Sequence, residues 1–279
     1  MTDLRPLFAA AGANDLPCED AAWPGRPMVL RSARPRICTP DTPVLFVHHG
    51  MGRNGDDYRD YWLDLVDEAD LVVIAPEFPA AGFPGSAWYN FGNRTNAEGG
   101  PNPPAVWTYL LPGRLFAALR GQGLTRRTRY GLFGHSAGGQ YVHRLLSLGL
   151  REAVAAAVTA NAGTYALPDP AIPFPYGLGE TGLGEAELRA LLAFPMTIMA
   201  GTADVDATTP NFPREPAAMA QGGTRHARAH RYFKAATAQA ARLGQPCAWR
   251  LIDVPDVAHD GARMSAAAAP VLAAALHTA

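Results

Sequence analysis

Lysine is almost absent from this chain of 279 residues: Lys234 is the only one, and arginine supplies the rest of the positive charge. The formal net charge is −1 and no long basic run occurs. The chain therefore lacks the electrostatic footprint of a protein that binds nucleic acid or an anionic membrane surface. No segment approaches the roughly 18 consecutive apolar residues of a membrane span. The N-terminus, MTDLRPLFAAAGANDLPCED, lacks a basic start followed by an apolar stretch, so it does not read as a signal peptide, and a cytoplasmic location is expected. Cysteine is scarce as well. Cys18, Cys38 and Cys247 lie far apart with no metal-ligand spacing, which argues against a metal cluster or a disulfide framework. A Cys18–Cys38 bridge is conceivable, but a reducing compartment disfavours it and all three are read as packing residues.

What is present points to one α/β domain. With 48% hydrophobic and 18% charged residues, the chain is long enough for a well-buried core, and disorder is not expected. The expectation is a single domain over 1–279 with an irregular N-terminal arm over about residues 1–26. Short apolar runs of strand length recur at 43–47 (PVLFV), 71–75 (LVVIA), 129–133, 154–159 (VAAAVT), 196–200 (MTIMA) and 248–254 (AWRLIDV). Helix candidates lie between several of them, notably the alanine-rich stretch 224–243, which stops before Gly244. Continuous apolar strands alternating with helices predict a mostly parallel central sheet with helices on both faces. Two segments fit neither period. Residues 80–112 and 164–184 are rich in Gly, Pro and aromatics, and both follow predicted strands, where an open α/β sheet places its ligand crevice.

The run YGLFGHSAGGQ from Tyr130 to Gln140 sets one small polar side chain between two glycines at the end of a strand. Gly-x-Ser-x-Gly is the pattern of a sharp strand-to-helix corner that exposes a serine hydroxyl at the edge of an α/β-hydrolase sheet. The strand-like run before it and the helical spacing of Val142, Leu145, Leu146 and Leu148 after it suit that corner. Five residues are a short signal, so partners are needed. A serine hydroxyl is a weak nucleophile until a base activates it and an acid orients the base. In this fold the chain order is serine, acid, histidine.

After Ser136 the histidines are His143, His226, His230, His259 and His277. His143 lies two turns into the elbow helix and His277 in the tail. His226 and His230 are four apart on a predicted helix, a spacing that could bind a metal, but no third ligand is evident nearby and a solvated helix face is the simpler reading. His259, in VPDVAHDGARM after the last predicted strand, is placed to swing an imidazole over the sheet and is read as the general base. For the acid, MTIMAGTADVD turns off a strand into Asp204, with Asp206 as the nearest rival; Asp253 and Asp256 belong to a strand end and its turn. An Asx-type turn at Asp204 is the bland alternative. An oxyanion needs backbone donors. One follows from the N–H of Ala137 after the nucleophile; the second is expected from Met51 in HHGMGRN, after an earlier strand.

These motifs, HHGMGRN, YGLFGHSAGGQYVHR, AGTADVD and VAHDG, in this order and spacing, resemble an α/β-hydrolase of the poly(3-hydroxybutyrate) depolymerase and feruloyl esterase-like group, over roughly residues 40–265. The resemblance implies a serine esterase with nucleophile Ser136, acid Asp204 and base His259, and with no metal or cofactor. Secreted polymer depolymerases carry signal peptides and often binding modules, and the resemblance does not extend to these. A small-molecule ester is the expected partner, with no nucleic acid or membrane; the oligomeric state is not legible. Pocket walls are expected from Trp88, Tyr89 and Phe91 in one irregular segment and from Tyr165, Phe174 and Tyr176 in the other, as an apolar rim suited to short-chain or aryl esters. Packing under long loops is the competing role for these aromatics. A peptidase or amidase with the same triad, and a non-catalytic binding protein on the same fold, are the alternative functions.

Overall fold

The computed structural model describes residues 2–279. The six apolar runs become strands of one eight-stranded sheet, and two further strands join it from the N-terminal region. In chain order these are β1 (Gly12–Cys18), β2 (Met28–Arg34), β3 (Val44–His48), β4 (Val72–Glu77), β5 (Tyr130–His135), β6 (Val154–Ala160), β7 (Met196–Gly201) and β8 (Arg250–Val254). Their order across the sheet is β1-β2-β4-β3-β5-β6-β7-β8. From β4 to β8 the neighbours are parallel; β1 and β2 pair antiparallel with each other, and β2 with β4.

The expected irregular arm is therefore corrected. Residues 12–18 form an edge strand and Arg5–Phe8 a 3-10 turn. Gly12, Asn14 and Pro17 within β1 are poor strand formers. Pairing with β2 over all seven residues overrides that local preference. The three cysteines are free and half-buried.

Alternation along the central strands sorts the core into two layers. Val44, Phe46, Val72 and Ile74 face one side, where they meet the helices Leu111–Gly121, Ala137–Ser147, Glu185–Ala193 and Arg225–Arg242. Leu45, Val47, Val73 and Ala75 face the other, against Tyr58, Trp62 and the C-terminal helix Gly261–His277. Burial on both faces explains why these strands read as continuous apolar runs. It also leaves the carboxyl ends of β3, β5, β7 and β8 converging on one rim. Among the described residues, no helix is long and apolar enough to cross a membrane.

Candidate active site

Ser136 sits between β5 and the helix that begins at Ala137, with φ 57° and ψ −118°. A non-glycine residue pays about 1–3 kcal/mol for such a conformation and keeps it only when its surroundings impose it. Here they do. The Ser136 N–H donates to the Ala160 carbonyl of β6 at 3.0 Å, and the Gln140 N–H donates back to the Ser136 carbonyl at 3.0 Å. The flanking glycines are required by space. A Cβ on Gly134 would lie 2.1 Å from the Gly138 oxygen, and one on Gly138 would lie 2.0 Å from the His48 oxygen. The second contact brings the end of β3 against the corner.

The turn after β8 carries His259 over this corner. Its Nε2 is 2.9 Å from Ser136 Oγ, and its Nδ1 is 2.7 Å from Oδ2 of Asp204. Asp204 is buried, in the turn after β7, where its N–H donates to the Gly201 carbonyl at 3.0 Å. Asp206 is elsewhere: exposed, its Oδ1 accepting from the N–H and hydroxyl of Thr208. The geometry thus brings Ser136, His259 and Asp204 into one hydrogen-bonded line.

The loop after β3 lies opposite. Met51 lines the cavity above Ser136, and a Cβ on Gly50 would lie 3.8 Å from the Ser136 Cβ. Ala137, first residue of its helix, has no helical carbonyl for its N–H. His49 braces this loop: its Nδ1 is 2.8 Å from the Gly50 carbonyl and its Nε2 accepts the Phe78 N–H at 3.1 Å. Nδ1 therefore carries the proton and the ring is neutral. Burial pushes its pKa down to about 3. Tyr89 stacks on the His49 ring and donates its hydroxyl to the His49 carbonyl at 2.6 Å.

Arg225, Thr209, His135 and Tyr58, unremarked in the sequence, complete the surroundings. Arg225, fully buried, donates to Oδ1 of Asp204 at 3.4 Å and to the Thr209 hydroxyl at 3.2 Å. Burial pushes its guanidinium below the usual arginine range, and Asp204 opposes that shift. His135, inside the serine motif, lies 4.6 Å ring to ring from His259, and its Nδ1 meets the Tyr58 hydroxyl at 2.7 Å. Burial first, and then His259, lower its pKa well below that of free imidazole. A neutral neighbour leaves room for a positive charge on His259. Nothing in the sequence distinguishes Arg225, because arginine supplies nearly every cation of this chain and a buried one is spelled like an exposed one.

The cavity over Ser136 has a volume of about 290 Å³ and is lined by Met51, Asn54, Tyr61, Thr209, Asn211 and Arg225 together with Ser136 and His259. This corrects the expected aromatic rim, since none of the six proposed aromatics lines it. Tyr89 and Tyr165 are fully buried, the latter stacked between His143 and Tyr232. Phe91 covers Arg144 and Phe174 covers Arg94. Tyr176 hydrogen-bonds Glu215. Trp88, under Arg26, lines a separate cavity of about 520 Å³. Packing beneath the long loops is what these rings do.

The expectation of no third ligand beside His226 and His230 is also corrected: Asp253 of β8 joins them, apart from the serine cleft.

The chain matches no protein-family model and no protein of the curated set. It is similar to solved structures. LpqC, a poly(3-hydroxybutyrate) depolymerase from Bordetella parapertussis, is 44% identical, with a TM-score of 0.89, over 95% of this chain and 91% of that one. Poly(aspartic acid) hydrolase-1 from Sphingomonas sp. KT-1 is 37% identical, with a TM-score of 0.89, over 94% and 98%. An S-formylglutathione hydrolase from Agrobacterium tumefaciens, 18% identical with a TM-score of 0.60 over 96% and 97%, shares the fold.

Proposed function

Since the chain belongs to the α/β-hydrolase superfamily, as a serine hydrolase of carboxylic esters akin to the depolymerase group, we propose that its substrates are short, polar esters such as hydroxyalkanoate oligomers or small aryl esters, cleaved through an acyl-enzyme on Ser136. The observation that carries this reading is the cavity itself. At about 290 Å³ it stands at the lower end of small-molecule sites. Its asparagines, threonine and arginine offer hydrogen bonds beside the short apolar wall of Met51, Tyr58, Tyr61 and Pro210, a mixture that suits a small ester better than a long acyl chain.

The reaction follows from the distances. Ser136 Oγ attacks the ester carbonyl carbon while His259 Nε2 takes its proton. Asp204 accepts from Nδ1–H, fixes the tautomer and stabilises the imidazolium. The N–H groups of Met51 and Ala137 bind the oxyanion, each such donor being worth about 3 kcal/mol. His259 returns the proton to the leaving alcohol, and water then repeats the cycle to release the acid. These residues need no metal or cofactor for any step.

A second reading is favoured by one observation, the 37% identity to a poly(aspartic acid) hydrolase: amide cleavage by the same residues. Hydrolysis of matched ester and amide substrates, across acyl lengths from acetate upwards, tests both. Turnover is expected to peak at short acyl chains, to favour the ester, and to vanish in folded Ser136→Ala. A rate that climbs beyond about ten carbons, or that jumps at the substrate's solubility limit, overturns the small-ester reading.

A further inference from the structure

We propose that His226, His230 and Asp253 form a divalent transition-metal site, of the Zn²⁺ class, that fastens the helix Arg225–Arg242 to β8. The inference is independent of the hydrolase chemistry. His226 and His230 stand four apart on that helix, so both rings leave the same face one turn from each other. Their centroids are 4.5 Å apart. Both Nε2 atoms converge on one oxygen of Asp253, at 3.0 and 2.8 Å, and the three ligand atoms lie within 4.8 Å of one another.

Around a tetrahedral ion with bonds of about 2.0–2.1 Å, ligand atoms sit about 3.3 Å apart. The trio therefore closes on a cation by opening its N···O contacts by about 0.3–0.5 Å and drawing the two Nε2 atoms, within 4.8 Å of each other, together to about the same spacing, by rotation of half-exposed side chains. Side-chain exposures of 27%, 42% and 44% leave a coordination position for water. Two imidazoles and one carboxylate select Zn²⁺ and its first-row neighbours over Mg²⁺ or Ca²⁺, which prefer all-oxygen sets. On binding, each neutral ring carries its proton on Nδ1 and presents the Nε2 lone pair.

The position gives the site a consequence. Asp253 lies six residues before His259, and the helix it would be tied to begins with Arg225, which touches Asp204, and His226, whose N–H donates to the Asp204 carbonyl at 3.3 Å. A bound ion cross-links β8, which leads into the turn carrying the base His259, to the helix whose first residues brace the acid Asp204. It acts by holding them and takes no part in the reaction.

Untagged, metal-stripped protein titrated with Zn²⁺ against a chromophoric chelator is expected to show one equivalent, with a Tm raised by the ion. His230→Gln and Asp253→Asn should each weaken that equivalent ten-fold or more and abolish the Tm shift, while ester turnover of the metal-free protein stays unchanged. His259→Ala should keep it. Wild type and both variants titrating alike, or an equivalent lost with His259 and kept in His230→Gln, overturns the proposal. If Asp253→Asn fails to fold, the exposed His230→Gln decides alone.

Discussion

Two aspartates two residues apart compete for one histidine, and at the scale of single residues burial separates them. Asp204 is enclosed, bonded to His259 Nδ1 at 2.7 Å and to Arg225 at 3.4 Å. Asp206 faces solvent and closes a turn with Thr208. Asp204→Asn removes the acceptor that sets the imidazole tautomer, and turnover is expected to fall on the order of 10⁴-fold. Asp206→Asn loses a surface turn contact and should stay within about twofold, because surface changes alter stability by about 0.5 kcal/mol or less. Turnover of the two purified variants, with circular dichroism as a check on folding, decides the assignment. A mild Asp204→Asn beside a damaging Asp206→Asn would move it. The serine motif and the late histidine were legible because each is written within a few consecutive residues. Arg225 was not, since its burial depends on how a helix end packs against the turn holding Asp204.

At the scale of elements, the corner works because three strand ends crowd it. Gly138 belongs to a helix, where alanine is ordinarily preferred over glycine by about 1 kcal/mol. Its absent Cβ is nevertheless what lets the His48 and His49 carbonyls come so close. Gly138→Ala should therefore cost about 3 kcal/mol of stability, at the upper end of the usual range for overpacked core substitutions, and should cut kcat by moving the Met51 loop away from Ser136. Gly121→Ala, at the end of the helix Leu111–Gly121 with nothing within 4 Å of the added carbon, is the control and should be neutral or slightly stabilising. Urea unfolding midpoints of the two variants check this. Equal midpoints would mean that β3 and the corner yield easily. The six aromatic rings belong to this scale too. Loops rich in proline and aromatics at the carboxyl edge of a sheet suggested a substrate rim, yet Tyr89 and Tyr165 turn inward onto histidines, Trp88, Phe91 and Phe174 stack on arginines, and Tyr176 bonds Glu215, so the rings pack the long loops and leave the serine cleft to other residues.

Across the whole molecule, four histidines are held neutral by burial. His48, His135 and His143 have pKa values well below that of free imidazole, and His49 is near 3, desolvation being the first cause in each. Unfolded imidazoles take up protons near pH 6.5, whereas these do so only well below it. Between those limits the unfolded chain binds more protons, so stability falls as pH falls. Each neutral histidine contributes a slope of about 1.4 kcal/mol per pH unit once the pH is below about 6. Urea midpoints at pH 7.5, 6.5 and 5.5 should show a modest loss over the first step and one about three times larger over the second. A flat profile down to pH 5 would show that the rings are hydrated or already paired when charged.

The sequence by itself determined the alternation of strands and helices, the corner at Ser136, and the order serine, acid, histidine. Each is a local property: apolar runs long enough for a strand, glycines where a Cβ has no room, polar residues just past strand ends. Tertiary structure alone decided what depends on register and approach between distant segments. It recruited residues 12–18 as an edge strand against β2. It buried Tyr89 against His49 in place of the pocket wall expected of it, and gave the cleft a wall of mixed polar and apolar residues. It also brought Asp253 to two histidines at least 23 residues earlier in the chain. β8 pairs with β7 while the helix Arg225–Arg242 packs against both strands, and that approach of segments distant in sequence, which no local run of residues encodes, sets those side chains face to face.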